Sequence, residues 1–396
     1  MAHVLFLSAW CPLPTDNGSK LRIAALLREL AREHTVDLIS FAPELPDSES
    51  LYQLRAMCHS VELVPEMPFA ANPAGRLRGL LSTKPRSVVA NFNTTMAKAV
   101  QARQGRRYDL VIASQVHMAP YALLLHNVPR LLEEVELAIL YEQPQHYTSA
   151  LKRLRYRLTW WKTRRYIAGL LRHFAAATTV SAKEMELLQP LSSPRTQLAV
   201  VPNGVDTAAC AGDFGAPEAN TLIYPGSLSY IANFDAVNHF LDAIWPHVRS
   251  MQPNARLRVT GRATPEQVAA LPPAEGVEFT GFLNDVRSAV AQSWAEVVPL
   301  RQGGGTRLKV LEALALGTPI VSTTKGIEGL DVEDGRHLLV ANNAKTFAER
   351  TAQLLAQPEL RQRLAAAGRA LVRERYDWSI IGSRLNALVQ QTARQG

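Results

Sequence analysis

The sequence predicts an α/β protein with two doubly wound, parallel-sheet domains. The chain has 396 residues, and a single hydrophobic core stops growing near about 250–300 residues. Short apolar runs alternate with segments of helical periodicity, which is typical of parallel strands joined by crossover helices. Almost every predicted strand of the second half ends in glycine or a polar residue. This pattern predicts a ligand crevice along the sheet edge.

Composition indicates a globular protein with an anionic partner. Hydrophobic residues make up 47% of the chain and charged residues 20%, and the formal net charge is +8. A basic balance favours nucleic acid, anionic lipid or a sugar nucleotide. The three widely spaced cysteines, Cys11, Cys58 and Cys210, predict neither a disulfide framework nor a zinc site. The sequence shows no signal peptide and no membrane-spanning run, so we expect a cytoplasmic location.

The first predicted domain, residues 1–205, begins with a strand–loop–helix–strand unit. Strand Val4–Leu7 leads into a turn-rich loop that contains Gly18, and a helix and strand Val36–Phe41 follow. The loop lies at the carboxyl end of the first strand, where open α/β sheets bind ligands. It does not match Gly-x-Gly-x-x-Gly, so a tight turn with a helix cap is an equal interpretation.

Two later strands of this domain end in candidate acid–base groups. Strand Asp109–Ala113 is followed by His117, which either faces the crevice or is a hydrogen-bonded structural residue. Strand Arg130–Leu132 is followed by three carboxylates within Glu133–Glu136, of which Glu136 is the candidate base. These carboxylates either act on hydroxyls or cap the following helix.

Residues 151–174 predict a long basic helix without an acidic residue. One interpretation is contact with an anionic membrane surface, and the other is a solvated helix whose aromatic residues pack on their own domain. Nucleic acid is not expected, because no helix-turn-helix, RRM or OB signature accompanies the helix. Its cations are Lys152, Arg153, Arg155, Arg157, Lys162, Arg164, Arg165 and Arg172, and its aromatic residues are Tyr156, Trp160, Trp161 and Tyr166.

The second predicted domain, residues 206–375, contains a new series of strands, and residues 376–396 form a final helix. The predicted strands are Leu222–Pro225, Arg256–Thr260, Val277–Thr280, Glu296–Leu300, Ile320–Ser322 and Leu338–Val340. Residues at or after the first three strand ends are candidates for ligand binding: Gly226, Ser227, Asn233, Gly261 and Phe282.

The segment Gln302–Pro319 is the central motif of the sequence. Its consecutive glycines let a backbone pass close to a ligand, and the helix that follows begins with a partial positive charge. Arg307 and Lys309 lie near that helix start, where the helix dipole disfavours cations, so an anionic ligand is the simpler explanation. Glu312 lies about 9 Å along the helix from Thr306, at roughly 1.5 Å per residue. One nucleotide could therefore span the loop and Glu312; the alternative is a core helix after a glycine-rich turn.

Val201–Asp206, together with Gly304–Pro319, resembles the glycosyltransferase group 1 family, whose members are retaining enzymes of GT-B fold. The resemblance implies two Rossmann-like domains, with a C-terminal helix that crosses back to the first. It implies a donor sugar nucleotide in the C-terminal domain and an acceptor mostly on the N-terminal domain.

The resemblance also implies roles for single residues. Glu312 would bind the donor ribose, and the backbone amides of Gly304, Gly305 and Thr306 would contact the donor sugar and phosphates. Gly18 would approach the donor diphosphate.

The chain departs from the family pattern at three positions. Gly304 replaces the first carboxylate of Glu-x7-Glu, and the family's histidine gives way to Glu133–Glu136. No cation follows the strand Leu222–Pro225, so Arg307 and Lys309 would supply the phosphate charge.

We therefore expect a retaining hexosyltransferase that uses a nucleoside-diphosphate sugar, first a UDP-sugar, and a hydroxyl acceptor in glycan, polysaccharide or glycolipid synthesis. The candidate catalytic residues are Arg307, Lys309, Glu136 and His117. No cofactor or metal is expected, because amides and cations can stabilise a leaving diphosphate and the chain has no Asp-x-Asp. Expected partners are the nucleotide sugar, a sugar or lipid-linked acceptor and the inner face of the cell membrane. The alternatives are a GT-B-fold sugar-nucleotide epimerase or hydrolase, or a non-catalytic anion- or membrane-binding protein.

Overall fold

A computed structural model describes residues 1–67, 82–146, 149–305 and 307–394. These residues form two compact units. The first unit comprises Met1–Asn203 and the residues from Trp378 onward, and the second comprises Gly204–Asp377. The borders between the two units lie after residues 203 and 377, whereas the sequence predicted them after residues 205 and 375.

The first unit contains a seven-stranded parallel sheet in the order β3-β2-β1-β4-β5-β6-β7. Because the order reverses between β1 and β4, their carboxyl ends form the topological switch point, where such sheets bind ligands. The strands are β1 His3–Ser8, β2 Thr35–Phe41, β3 Ser60–Val64, β4 Leu110–Ser114, β5 Arg130–Glu133, β6 Ala176–Thr179 and β7 Gln197–Val200.

Helices cover both faces of this sheet, and each face has its own apolar core. In the described part of the unit, the helices are α1 Gly18–Ala31, α2 Ser48–Met57, α3 Arg86–Ala90, α4 Thr94–Gln101, α5 Ala119–Ala122, α6 Ala138–Glu142, α7 Ala150–Leu171 and α8 Ala182–Leu188.

The last helix of the chain, α16 Trp378–Ala393, packs against α1. Buried Ile381 and Leu385 share a core with Leu26 of α1. The helices approach so closely at Gly382 that a Cβ there would lie 2.4 Å from the Cβ of Glu29. The expected return of the C-terminal helix to the first domain is thus confirmed.

The second unit contains a six-stranded parallel sheet in the order β10-β9-β8-β11-β12-β13, with its switch point between β8 and β11. The strands are β8 Glu218–Pro225, β9 Arg256–Thr260, β10 Val277–Gly281, β11 Ser293–Val298, β12 Ile320–Ser322 and β13 Leu339–Val340. The helices among its described residues are α9 Ile231–His239, α10 Trp245–Met251, α11 Pro265–Ala269, α12 Arg287–Ala291, α13 Leu308–Leu316, α14 Ala344–Ala356 and α15 Pro358–Arg375.

The sequence pattern after the first strand of the second unit predicts a helix over Phe234–Ile244, and the observed helix differs from this expectation. The helix after β8 begins at Ile231, and its continuation Phe240–Ile244 is a π-helical turn that leads into α10. Glycine and proline mark helix ends in a sequence, but the insertion of a wider turn has no such signal. Gly317 stands two residues before Pro319 at the end of the central motif, where the sequence predicts a left-handed helix cap. Its φ of 76° confirms this prediction.

Candidate functional site

The carboxyl ends of β8, β9 and β10 meet through backbone contacts that bring the predicted glycines together. The Gly226 amide donates to the Thr260 carbonyl at 3.0 Å, and the Gly261 amide donates to the Gly281 carbonyl at 2.8 Å. A Cβ on Gly261 would lie 2.6 Å from the carbonyl carbon of Gly226, so the two backbones can meet only if this residue is glycine. Beyond them Phe282 is 55% exposed.

Asn233 fixes the turn after β8. Its amide nitrogen donates to the Ser227 carbonyl at 2.9 Å, and its side-chain oxygen accepts from the Tyr224 hydroxyl at 2.8 Å. The same oxygen accepts from the Lys309 ammonium at 3.3 Å. Asn233 therefore connects the turn at Gly226 and Ser227 with helix α13.

Lys309 reaches from α13 to the end of β8. Its Nζ lies 4.0 Å from the centre of the Tyr224 ring and 2.8 Å from where a Cβ of Gly226 would stand. Burial lowers the pKa of Lys309 to about 8, although the nearby carboxyl of Glu296 opposes that shift. A cation thus stands beside the end of β8, and it comes from a distant part of the chain, helix α13.

Glu296 of β11 is fully buried, and neither of its carboxyl oxygens has a hydrogen-bond partner among the described residues. Burial raises the pKa of Glu296 well above its usual value, and Lys309 opposes this effect. A buried carboxyl of this kind favours the protonated form. The sequence did not single out Glu296, because it reads as one more residue of a buried strand.

Arg307 stabilises the glycine loop before α13 through hydrogen bonds to the backbone of the loop. Its guanidinium donates from Nη1 to the Gly304 carbonyl at 2.7 Å and from Nη2 to the Gly303 carbonyl at 2.8 Å. Gly305 has a φ of 79°, which favours glycine. Thr306 lies outside the described residues. Arg307 precedes the helix, which begins at Leu308, and its guanidinium contacts the loop that the sequence predicts to bind phosphate.

Glu312 lies farther along α13, largely enclosed. Burial raises the pKa of Glu312, Arg287 lowers it, and Asp285 raises it. Arg287 is held by two hydrogen bonds to Asp285, at 2.9 and 2.7 Å. Glu312 and Lys309 therefore stand on the same helix beside the sheet edge, as the sequence predicted, and Arg287 and Asp285 are neighbours that the sequence reasoning missed.

The switch-point edge of the first unit is built around Arg22, which is completely buried on α1. Its guanidinium forms an ion pair with Glu133 at 2.6 Å, and Nη1 also donates to Asn203 Oδ1 at 2.9 Å. The second oxygen of Glu133 accepts from Ser114 at 3.0 Å. Arg22 was missed because it reads as one position of an amphipathic helix.

Glu134 follows β5 in a strained backbone conformation, with a φ of 60°. Its carboxylate accepts from Gln115, which also has a positive φ of 70°, and lies 3.6 Å from the guanidinium of Arg22. Burial raises the pKa of Glu134, Glu133 adds to this effect, and Arg22 opposes it. Strained, buried and ionisable groups of this kind cluster at functional sites.

The candidates His117 and Gly18 do not belong to the cluster of Arg22, Glu133 and Glu134 that is described above. His117 lines a small cavity with Ala9 and Phe92, and burial lowers the pKa of His117, so its imidazole is neutral at pH 7. Gly18 is exposed and begins α1.

A different carboxylate caps the helix after Glu133–Glu136. Glu184 accepts from the backbone amides of Leu137 at 2.6 Å and Ala138 at 3.0 Å. Glu133 pairs with Arg22, and Glu134 accepts from Gln115. The predicted alternative, that these carboxylates cap the following helix, is therefore wrong for Glu133 and Glu134.

Helix α7 packs some of its aromatic residues on its own domain and exposes other apolar residues to solvent. Trp160 and Tyr166 pack against the core of the unit. Four other large apolar residues are exposed among the cations, and their spacing of three or four residues places them on one stripe. We call these four the apolar stripe: Leu151, Leu154, Leu158 and Trp161, which are 80, 65, 52 and 52% exposed. No helix among the described residues is long and apolar enough to cross a bilayer.

Two family profiles match adjacent parts of the chain. Residues 17–209 match the profile described as "Glycosyltransferase Family 4", and residues 219–357 match the profile "Glycosyl transferases group 1".

Curated relatives include mannosyltransferases of lipids. The phosphatidyl-myo-inositol mannosyltransferase of Mycobacterium leprae is 30% identical over 206 residues, which cover 50% of this chain and 54% of that protein. The GDP-mannose-dependent monoacylated alpha-(1-6)-phosphatidylinositol monomannoside mannosyltransferase of Corynebacterium glutamicum is 30% identical over 161 residues, 38% of this chain and 42% of that protein. The chain spans about half the length of the curated mannosyltransferases it matches.

Solved structures match along the whole chain. HepE of Anabaena, in complex with UDP and glucose, gives a TM-score of 0.67 at 17% identity and covers 99% of this chain and 100% of that chain. Sucrose-phosphate synthase of Thermosynechococcus elongatus gives 0.68 at 18% identity, with 100% of both chains covered. At these identities the likeness concerns the fold, and it confirms the GT-B class.

Proposed function

The chain belongs to the glycosyltransferase group 1 family, and on that premise we propose that it transfers a hexose from a nucleoside-diphosphate sugar to a hydroxyl acceptor. The observation that carries this proposal is the position of Lys309, whose buried ammonium stands at the glycine turn after β8. Glu312 lies on the same helix, three residues further on, next to the edge of the sheet. A cation for the diphosphate and a carboxylate for the ribose are thus on one rigid element.

In the proposed reaction the leaving group is a nucleoside diphosphate, and the protein stabilises the charge that develops on it. Lys309 supplies one cation, and the amides of the glycine loop supply hydrogen-bond donors that need no reorganisation. Arg307 acts indirectly, because its guanidinium holds the loop carbonyls of Gly303 and Gly304. We propose that the transfer proceeds with retention at the anomeric carbon and without a metal.

We propose a UDP-sugar as the first donor to test. The Anabaena structure of the same fold contains UDP and glucose. The Corynebacterium relative is instead GDP-mannose-dependent, so a GDP-sugar is the direct competitor in the experiment.

For the acceptor we propose a lipid-linked sugar at the switch-point edge of the first unit. Glu134 and His117 border this edge, and Glu136 follows in the same segment. A carboxyl that is kept protonated, as burial favours for Glu134, can donate a hydrogen bond to an acceptor oxygen. The similarity to mannosyltransferases of phosphatidylinositol lipids supports this class of acceptor.

We propose that the protein is cytoplasmic and contacts the inner face of the membrane through α7. The apolar stripe provides side chains that can enter the headgroup region, and the surrounding lysines and arginines attract anionic lipid. An acceptor anchored in the membrane would then lie within reach of the protein.

The experiment that tests the donor site is a thermal-shift and hydrolysis screen with UDP-, GDP- and ADP-sugars. We expect one nucleotide family to raise the melting temperature of the wild type and to have no effect on Glu312→Ala. Glu349→Ala, an exposed carboxylate of the same unit, is the control and should keep the wild-type response.

No shift with any of these nucleotides would overturn the donor proposal. If transfer is obtained, the anomeric configuration of the product, measured by NMR coupling, tests retention. A product with inverted configuration would contradict that part of the mechanism.

A further inference from the structure

Three potential metal ligands meet at the amino-terminal ends of the first-unit strands, away from the carboxyl ends where the candidate site lies. His3 is the first residue of β1, Asp37 belongs to β2, and His59 directly precedes β3. These strands are neighbours in the sheet, so their side chains converge. Among the described residues, these three are the group of histidine, cysteine, aspartate or glutamate ligands whose atoms all lie within 4.8 Å of one another.

The distances within this group match those of a coordination sphere. His3 Nε2 lies 3.3 Å from Asp37 Oδ2, and His59 Nδ1 lies 3.0 Å from Asp37 Oδ1. Ligand atoms about 2.0–2.2 Å from a tetrahedral metal ion are about 3.3–3.6 Å apart, so the two observed distances are those of ligands that would move slightly apart around an ion. All the ligand atoms of the three residues lie within 4.8 Å of one another, and the side chain of His59 is 64% exposed.

The Nε2 nitrogen of His3 lies close to Asp37 without forming a hydrogen bond to it. This nitrogen is buried, yet no hydrogen bond with acceptable geometry reaches it among the described residues. A buried polar atom without a partner costs free energy, so an explanation for it is needed. A metal ion between this nitrogen and Asp37 would use its lone pair.

The neighbours of Asp37 bury its carboxylate and hold it in one orientation, as a metal ligand requires. Its side chain is only 1% exposed, and one oxygen accepts from the Tyr108 hydroxyl at 2.7 Å. Metal-binding carboxylates are usually oriented by such an outer hydrogen bond. Arg106 lies 3.8 Å away, half exposed, so it can turn to solvent when a cation binds.

We propose that His3, Asp37 and His59 form a binding site for a divalent transition metal of the zinc class, with three protein ligands and a fourth position for water. Two imidazoles and one carboxylate favour zinc and its transition-metal neighbours over calcium and magnesium, which prefer oxygen ligands. The site is separate from the proposed glycosyl transfer and does not depend on it. Its role is to join the amino ends of three neighbouring strands.

The test is calorimetric titration of the chelator-treated full chain with Zn²⁺, together with the visible absorption of added Co²⁺. We expect one equivalent to bind, with the d–d bands of a low-coordinate site. His59→Asn should weaken Zn²⁺ binding by about tenfold or more, and Tyr108→Phe should weaken it less. His247→Asn, an exposed histidine of the second unit, is the matched control.

His59 is largely exposed, so its variant should fold, which circular dichroism verifies. Loss of the Zn²⁺ site in His59→Asn with retention in His247→Asn supports the proposal. The proposal is overturned if the wild type does not bind one equivalent of Zn²⁺, or if His59→Asn and His247→Asn bind it equally. The three residues would then be only a hydrogen-bonded cluster.

Discussion

Lys309 and Arg307 lie two positions apart, yet their side chains have different tasks. Arg307 satisfies carbonyls of its own loop, and Lys309 crosses to the end of β8. A guanidinium suits several fixed acceptors, whereas an ammonium is a compact charge whose pKa falls readily on burial. We therefore propose that Lys309 contacts the diphosphate and that Arg307 supports the loop.

The first prediction concerns Lys309→Met, which keeps an unbranched side chain but removes the charge. We expect kcat to fall by about 10²–10³-fold, because one preorganised donor to the leaving group is lost. Steady-state kinetics with the donor found in the screen measure this effect. Lys345→Met, at an exposed position of α14, should retain wild-type kcat. Equal kcat in both variants would exclude Lys309 from the chemistry.

The second prediction concerns the buried carboxyl of Glu184 and the pH dependence of stability. Burial raises the pKa of Glu184 to about 7, against the opposing hydrogen bonds from the Leu137 and Ala138 amides. The unfolded value is about 4.3, so the unfolded chain loses this proton first as the pH rises. Protonated Glu184 therefore contributes its full stabilisation below about pH 4.3. This contribution is lost as the pH rises from about 4.3 to about 7.

Glu184→Gln removes this titration. We expect the melting temperature of the wild type to fall relative to the variant between pH 5 and pH 7, in a series of thermal unfolding curves. Glu186→Gln changes an exposed carboxylate on the same helix and should keep a constant offset from the wild type. A constant offset for Glu184→Gln as well would show that its proton is not linked to folding.

At the scale of elements, α7 is the helix with an unusual surface. Its C-terminal end is anchored through Ile167, Leu170 and Leu171 in the core. The apolar stripe lies among cations between the start and the middle of the helix. Exposed leucines and a tryptophan on one stripe are costly in water unless they have a partner.

The third prediction tests that stripe with the double variant Leu154→Glu and Leu158→Glu. We expect binding to vesicles that contain anionic phospholipid to drop by about tenfold or more, because both apolar insertion and charge attraction are weakened. Co-sedimentation measures it, and the melting temperature should stay close to that of the wild type.

Leu45→Glu is the control for the stripe, since Leu45 is an isolated leucine that is 73% exposed. The control should sediment as the wild type does. If the double variant sediments with vesicles as the wild type does, α7 is not the membrane contact. If the wild type binds only neutral vesicles, the proposed attraction between the cations of α7 and anionic lipid is wrong.

At the scale of the whole molecule, the chain closes its first unit with its last helix. Asn386 of α16 donates to the Glu29 carbonyl at 3.1 Å and to Glu33 at 2.9 Å, next to the buried side chains of Ile381 and Leu385. The first unit is therefore incomplete until residues from Trp378 onward have been made.

The fourth prediction is that Leu385→Ala destabilises the first unit. Leu385 is fully buried, so its truncation leaves a cavity and should lower the free energy of unfolding by about 2–5 kcal/mol. Chemical denaturation followed by circular dichroism measures the change. Arg384→Ala, the exposed neighbour, should have little effect, and similar values for both variants would contradict the packing described for α16.

Local patterns were sufficient for much of the architecture. Strand and helix periodicities predicted the doubly wound class, and the cap at Gly317 follows from the absence of a Cβ. Boundaries such as Ile231, and the π-helical turn after it, were not predictable, because they depend on packing against neighbouring elements.

By itself, the sequence determined the fold class, the family resemblance and the helix that carries Lys309 and Glu312. These follow from the order of residues within short segments. The tertiary structure alone decided which side chains meet: Lys309 with Tyr224 and Asn233, Arg22 with Glu133, and His3 with Asp37 and His59. Those residues are far apart in the chain, and parallel strands bring them together through crossovers whose register no local pattern encodes.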